Sequence, residues 1–248
     1  MHAYEDGDVS VSLVTASFPS PSNETVEGCV ETFRKNLLSI KVFGNSVHEF
    51  FAEHPSLNDG DLPPIHSLRS RVKSEAHLRK KVVRKKVREN RDITSENLLD
   101  EVTDLFGVRV LHLHLQQVAE IDAAIREYVG DGHLAFFERP KAFTWDPETK
   151  AFFERLGLEV VYRDTQYTSI HYVVKPNPSS KISCEVQVRT LFEEAWGEID
   201  HLLNYPEETD SVACREQLSV MAKMVGASSR LAEAIFRSHR EHQARRPT

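Results

Sequence analysis

Two short runs of alternating residues carry the side chains best suited to chemistry. In Ile182 to Arg189, period-two alternation turns Ile182, Cys184, Val186 and Val188 one way and Ser183, Glu185, Gln187 and Arg189 the other. In the run just before it, Tyr167, Ser169 and His171 share one side, and Ile170, Tyr172 and Val174 the other. Paired as a hairpin, the two runs would set a carboxylate, an amide, a guanidinium, a phenol and an imidazole on one concave face. Such a set can orient a polar substrate and accept a proton. An ordinary solvent-facing strand alternates in the same way, so the residue types, not the pattern, mark these positions.

A second group lies upstream, where Asp104 and Arg109 flank Gly107 and follow a cationic stretch. Between Arg69 and Arg91 stand eleven Lys or Arg against two Glu, although the 248-residue chain carries a net charge of −7. Positive charge gathered in one stretch of an acidic chain suits a compact polyanion such as a nucleoside triphosphate. A solvated helix face and an RNA-binding surface have the same composition. His112 and His114 alternate on one run with no third ligand in view, which argues against a zinc site.

These residues need elements to position them. Apolar spacing predicts a helix from Asn23 to Phe51, capped by Ser22 or Asn23. Residues 54–64, rich in Pro and Asp, read as a loop. Ser67 is expected to open a helix-rich segment through the basic stretch, and residues 94–97 to cap a short helix ending at Leu105. Strands are expected over 107–115, 158–163, 168–175 and 182–189, and helices over 118–129, 150–156, 191–204 and 212–239. Residues 130–149 read as irregular. The order predicts one α+β domain over residues 22–239, between a flexible arm (1–21) and a tail (240–248), with a mixed or antiparallel sheet of about four to five strands and helices packed around it.

Mean hydropathy is −0.42 and no apolar run reaches the ~20 residues of a membrane span, which excludes a helical membrane protein. The acidic start, Met1 to Asp8, lacks the basic and apolar regions of a secretory signal. Cys29, Cys184 and Cys214 lie far apart, so a reducing, cytoplasmic setting is expected.

Taken together the motifs resemble the RelA/SpoT-type alarmone synthetase family. The matching pieces are Arg71-Val-Lys73 with Lys81, then Asp104-Leu-Phe-Gly107-Val-Arg109, then Tyr167-Thr-Ser-Ile-His171-Tyr, then Glu185-Val-Gln-Val-Arg189-Thr190, and finally Ala195-Trp196-Gly-Glu-Ile-Asp-His201 with Asn204-Tyr205. They stand in family order. The compact length resembles a single-domain small alarmone synthetase. The resemblance implies a nucleotidyltransferase-like fold and transfer of pyrophosphate from ATP to the ribose 3′-hydroxyl of GDP or GTP, with release of AMP and Mg²⁺ as cofactor. It also implies the roles. Arg71, Lys73, Lys81 and Arg109, with His77 nearby, would hold ATP, the arginines stacking on adenine. Asp104 would ligate the metal. Glu185 would be the second carboxylate, for metal or proton. Tyr167 would stack on the acceptor base, with Ser169 and His171 beside it and Gln187 and Arg189 orienting Glu185 or the substrate.

Three departures bear on substrate choice. His77 stands where the family usually has Ser. Gln166 and Thr168 flank Tyr167 where the family commonly has Gly and a basic residue. The stretch before Tyr167 lacks the usual lysine, for which Arg163 would substitute. The alternative acceptors are an adenine nucleotide or the 3′ end of tRNA, as in toxic relatives, with Arg84, Lys85, Lys86 and Arg88 as an RNA contact surface. A silent nucleotide or RNA sensor is the non-enzymatic alternative. Trp196, His201 and Tyr205 read as packing residues. Glu193, Glu194, Glu198 and Asp200 read as surface charge. Leu218, Met221, Met224, Val225, Leu231 and Ile235 read as core, or as the interface of a homo-oligomer.

Overall fold

In a computed structural model, residues 18–204 and 208–245 are described. Most of the expected N-terminal arm, Tyr205 and the last three residues lie outside them. The chain order is α1 (Asn23–Glu53), α2 (Pro55–Asn58), β1 (Ser67–Val72), α3 (Glu75–Glu89), α4 (Leu98–Glu101), β2 (Phe106–His112) and α5 (Gln117–Gly130). Then come β3 (Ala135–Phe136), β4 (Lys141–Thr144), α6 (Pro147–Arg155), β5 (Glu159–Tyr162), β6 (Ser169–Lys175), β7 (Cys184–Thr190), α7 (Leu191–Asn204) and α8 (Val212–Ala244).

The fold is α+β, and among the described residues its mixed sheet has seven strands rather than four or five. Six follow the order β1-β2-β7-β6-β4-β5, and β3 also pairs with β6. β2 and β7 run parallel, as do β4 and β5, and the other pairings are antiparallel.

The three additional strands have separate causes. β1 lies where a helix was expected. Leu68 and Val72 alternate with Arg69 and Arg71, and the apolar pair packs on the core while the backbone pairs with β2. β3 and β4 have two and four residues, too few for a periodic pattern, and form against the free edge of β6. The expected helix ending at Leu105 is a single turn, Leu98–Glu101, because Val102 leaves helical geometry. α8 extends to Ala244, into the expected tail.

One face of the sheet is apolar. Val108, Val110, Val186, Val188, Ile170, Tyr172 and Val174 join α1 and α5 in the main core. α1 begins at an N-cap where Ser22 Oγ accepts from the Thr25 amide. It crosses the sheet closely at Gly44, where an added Cβ would fall 2.1 Å from the Phe106 ring. The opposite face lies under α7, which packs on β2, β7 and α8. A second, small cluster of Tyr167, Trp196, Ala222 and Val225 ties these helices down. Of the α8 residues read as core, Leu218 and Val225 are buried, whereas Met224, Leu231 and Ile235 are exposed beside Val220. Among the described residues no helix is long and apolar enough to cross a membrane.

Candidate active site

Register places the candidate residues in rows. Arg71 on β1 pairs with Gly107 on β2, which pairs with Glu185 on β7. One row on, Arg69, Arg109, Gln187 and His171 align across β1, β2, β7 and β6. The expected hairpin between the two alternating runs is present, antiparallel, with its polar rows on the α7 side.

At one end of this face sits Asp104, in the turn between α4 and β2. Lys73 follows β1 directly and its amide donates to the Leu105 carbonyl, which brings its side chain to Asp104. Lys81 comes from the buried side of α3, a helix capped by Ser74 at its start and by left-handed Asn90 at its end. Asp104 Oδ2 accepts from Lys73 Nζ at 2.8 Å and Lys81 Nζ at 3.0 Å. Burial raises the carboxyl's pKa, but the two ammonium groups outweigh it and hold the group well below the usual carboxylate range. Oδ1 of Asp104 is buried with no hydrogen-bond partner among the described residues. His77 lies at the start of α3, one turn before Lys81, with Nδ1 2.7 Å from Ser74 Oγ.

At the centre, Glu185 accepts from His171 Nδ1 at 3.1 Å and from Gln187 Nε2 at 2.7 Å. His171 Nε2 lies 3.0 Å from the Tyr167 hydroxyl, so four residues make one chain of polar contacts. Burial opposes charge on His171, but the Tyr167 and Glu185 oxygens on either side outweigh burial and push its pKa up to about 10. Ser169 is buried and donates to the Val188 carbonyl at 3.4 Å. Arg163, at the end of β5, lies over the Phe143 ring, 4.6 Å from its centroid, and Phe143 meets His171 edge-on. Arg163 therefore reaches the surroundings of Tyr167. Gln166 adopts a left-handed φ of 65° and donates to Ser219 of α8 at 2.8 Å.

The polar face is covered. Arg189 is 2% exposed, Tyr167 4% and Glu185 7%. The Tyr167 ring packs against Trp196, Ala222 and Val225. Trp196 donates its indole N–H to the Leu218 carbonyl, which agrees with a packing role. His201 is buried as well.

The surface reading of the α7 glutamates needs correction. Glu193 and Glu194 are buried, because α7 turns back over the sheet as soon as β7 ends. Thr190 Oγ1 accepts from the Glu193 amide and so caps the turn. Glu194 pairs with Arg189, with Arg109 at 2.8 Å and with Arg69 at 3.5 Å, while Glu198 meets Arg109 at 2.7 Å. Glu194, Glu198 and Arg69 were not among the sequence candidates. The available signal was the i, i+4 spacing of the two glutamates on a helix that directly follows a functional strand. Burial pushes the Glu193 carboxyl up to about 8, against the partial relief from Arg189.

Among the described residues no group of three or more His, Cys, Asp or Glu is gathered as a metal site. A magnesium ion held with substrate phosphates needs only one or two protein carboxylates. The unpartnered Asp104 oxygen meets that need, whereas both Glu185 oxygens are engaged by His171 and Gln187.

Residues 70–210 match the family model described as the region found in RelA / SpoT proteins. A GTP pyrophosphokinase family protein from Streptococcus pneumoniae has a similar structure (TM-score 0.60, 19% identity), covering 88% of this chain and 97% of its own. Small alarmone synthetase 1 from Bacillus subtilis bound to its product pppGpp is also similar (TM-score 0.58, 18% identity, covering 88% and 99%). The same Bacillus enzyme bound to AMPCPP gives a TM-score of 0.52 at 15% identity, covering 85% and 95%. No curated protein matches the sequence. With the family model spanning more than half the chain, this protein belongs to the RelA/SpoT family.

Proposed function

We propose that the protein transfers the β,γ-pyrophosphate of ATP to the ribose 3′-hydroxyl of GDP or GTP, forming a (p)ppGpp-type alarmone and AMP. The observation that carries this reading is one sheet face with two polar groups. Asp104 lies between Lys73 and Lys81 at one end, and the Tyr167–His171–Glu185–Gln187 chain lies at the centre. The pppGpp-bound and AMPCPP-bound relatives support a guanosine polyphosphate and an ATP-like nucleotide as ligands.

In this reading the acceptor 3′-oxygen attacks the β-phosphorus of ATP. The bond between that phosphorus and the α,β-bridging oxygen breaks, and AMP leaves with that oxygen. Glu185 accepts the hydroxyl proton, while His171 and Gln187 fix its two oxygens in place. Lys73, Lys81 and Arg71 neutralise the ATP phosphates, Lys73 and Lys81 shifting part of their charge from Asp104 to the nucleotide. Arg109 and His77 complete the ATP side. Mg²⁺ held at Asp104 would supply charge neutralisation of the transferred group. Tyr167 binds the acceptor base, which requires its ring to part from the α7–α8 cluster.

The test offers ATP and Mg²⁺ with GMP, GDP, GTP, ADP or uncharged tRNA in turn, and follows AMP and the product by anion exchange. AMP with a pyrophosphorylated guanine nucleotide is the expected outcome. Transfer only to ADP or tRNA would keep the chemistry and replace the acceptor. Absence of AMP with every acceptor would sink the reading. Glu185→Gln keeps the shape of the side chain, so it should fold normally and lose transfer by about 10²–10⁴-fold.

A further inference from the structure

α3 reaches the candidate site with little apolar surface to hold it. Of its 15 residues, Leu78 and Val82 are the buried apolar side chains, beside the buried Lys81 and Lys85. The helix packs on α1, and two forked ion pairs cross that contact. Arg79 donates from Nε and Nη2 to the two Glu27 carboxylate oxygens at 2.7 and 2.9 Å. Arg34 donates in the same way to Glu75 at 2.7 and 2.6 Å. Arg79 also reaches Glu75 at 3.5 Å, which joins the two pairs into one chain. Glu27 and Arg34 stand about two turns apart on α1, and Glu75 and Arg79 about one turn apart on α3. Two separated points of attachment fix both the slide and the rotation of α3. The paired α3 residues also bracket the segment that reaches Asp104. Glu75 follows Lys73 closely in the chain and Arg79 closely precedes Lys81, and these two lysines meet Asp104 Oδ2. Single exposed ion pairs contribute little, but bidentate pairs joined in a network hold their geometry.

We infer that Glu27, Arg34, Glu75 and Arg79 are positioning residues that set where α3 stands on α1, and so how Lys73 and Lys81 meet the phosphates of ATP. This deepens the proposed function and rests on it for the identity of the polyphosphate. The four residues act through the helix, not on the nucleotide. The two carboxylates are the informative members. Removing a negative charge near a cationic helix would, by Coulomb attraction alone, draw a polyanion more strongly. Releasing α3 from α1 would instead weaken its binding. The two causes predict opposite signs.

Titration calorimetry of ATP with Mg²⁺ into the full chain, without acceptor, tests this. Glu27→Gln and Glu75→Gln should each weaken ATP binding about fivefold. The exchanged pair Glu27→Arg with Arg79→Glu keeps the net charge and should bind ATP more tightly than Arg79→Glu alone. In turnover, Glu27→Gln should raise KM for ATP and leave KM for the acceptor unchanged, whereas a general loss of structure would raise both. The four side chains are 35–55% exposed, so these variants should fold. Unchanged or tighter ATP binding in Glu27→Gln would overturn the inference. An exchanged pair that binds no better than Arg79→Glu alone would do the same. ATP binding needs no transfer. If it responds to these substitutions while the wild type releases no AMP with any acceptor, the positioning role stands and the proposed reaction falls.

Discussion

The two faces of the sheet are buried to a similar degree and made of opposite materials. On the α1–α5 face, Val108, Val110, Val186, Val188 and Ile170 are at most 1% exposed and meet other apolar groups. On the α7 face, Glu185, Gln187, Arg189 and Arg109 are at most 8% exposed and meet each other's charges and dipoles. The first face gains stability with the area removed from water, at roughly 25 cal/mol per Å². The second gains little net, because desolvation of buried charges offsets much of their attraction. A polar face that adds little stability yet is buried under two helices is what the proposed transfer would need. Substitutions on the two faces should therefore fail in different ways.

The largest effect is expected at Asp104. Asp104→Asn removes the carboxylate charge that Lys73 and Lys81 share and should cost about 3–5 kcal/mol, read from the shift in denaturant midpoint. Replacing all three together by apolar residues of similar size should recover most of that loss. A triple variant as unstable as Asp104→Asn would show that the charges contribute more than pairing.

On the apolar face, Gly44→Ala drives a methyl into the buried Phe106 ring and should cost about 1–3 kcal/mol. Activity per folded molecule should stay unchanged, because the clash lies on the side away from Glu185. Activity falling faster than the folded fraction would show that the two faces are mechanically coupled.

Titration separates two groups of the polar side. His171, raised to about 10, adds stability that is fully present below its unfolded value near 6.5 and is lost as pH rises toward 10. Glu193, raised to about 8, keeps its proton in the folded state, so stability falls as pH rises from about 4.5 through 8. Each group contributes a slope of at most about 1.4 kcal/mol per pH unit. Glu193→Gln should flatten the lower window and His171→Gln the upper one, measured by denaturation at a series of pH values. A Glu193→Gln profile that matches wild type between pH 5 and 8 would place the ionised carboxylate in the folded protein.

The smallest effect is expected at Gln166. Glycine would relieve the left-handed backbone but lose the hydrogen bond to Ser219, so Gln166→Gly should change stability by less than about 1 kcal/mol. The informative readout is the acceptor profile. If that segment of α8 holds the Tyr167 loop shut, releasing it should lower KM for the acceptor more than for ATP.

The site was legible where local period and residue type coincide. Alternation in β6 and β7 was enough to put Ser169, His171, Glu185, Gln187 and Arg189 on one side, with Tyr167 in the irregular segment just before β6. The hairpin then made those rows adjacent. β1 was misread because six residues inside a run of cations look like the start of the helix that follows them. Strand geometry there is selected by pairing with β2, which no local pattern records. β3 and β4 were missed for the same reason, since two to four residues become strands only when a neighbour offers unpaired amides and carbonyls.

By itself the sequence determined the order of the main elements, the side on which each strand residue stands and the kinds of groups the chemistry would use. Those follow from bond geometry and side-chain chemistry, which act over a few residues. Only the tertiary structure decided that Lys73 and Lys81 would meet on Asp104, that α7 would turn its glutamates onto three arginines, and that α7 and α8 would close over the whole face. Whether a charge is solvated or buried depends on what covers it, and the covering helices lie far along the chain from most of the residues they enclose.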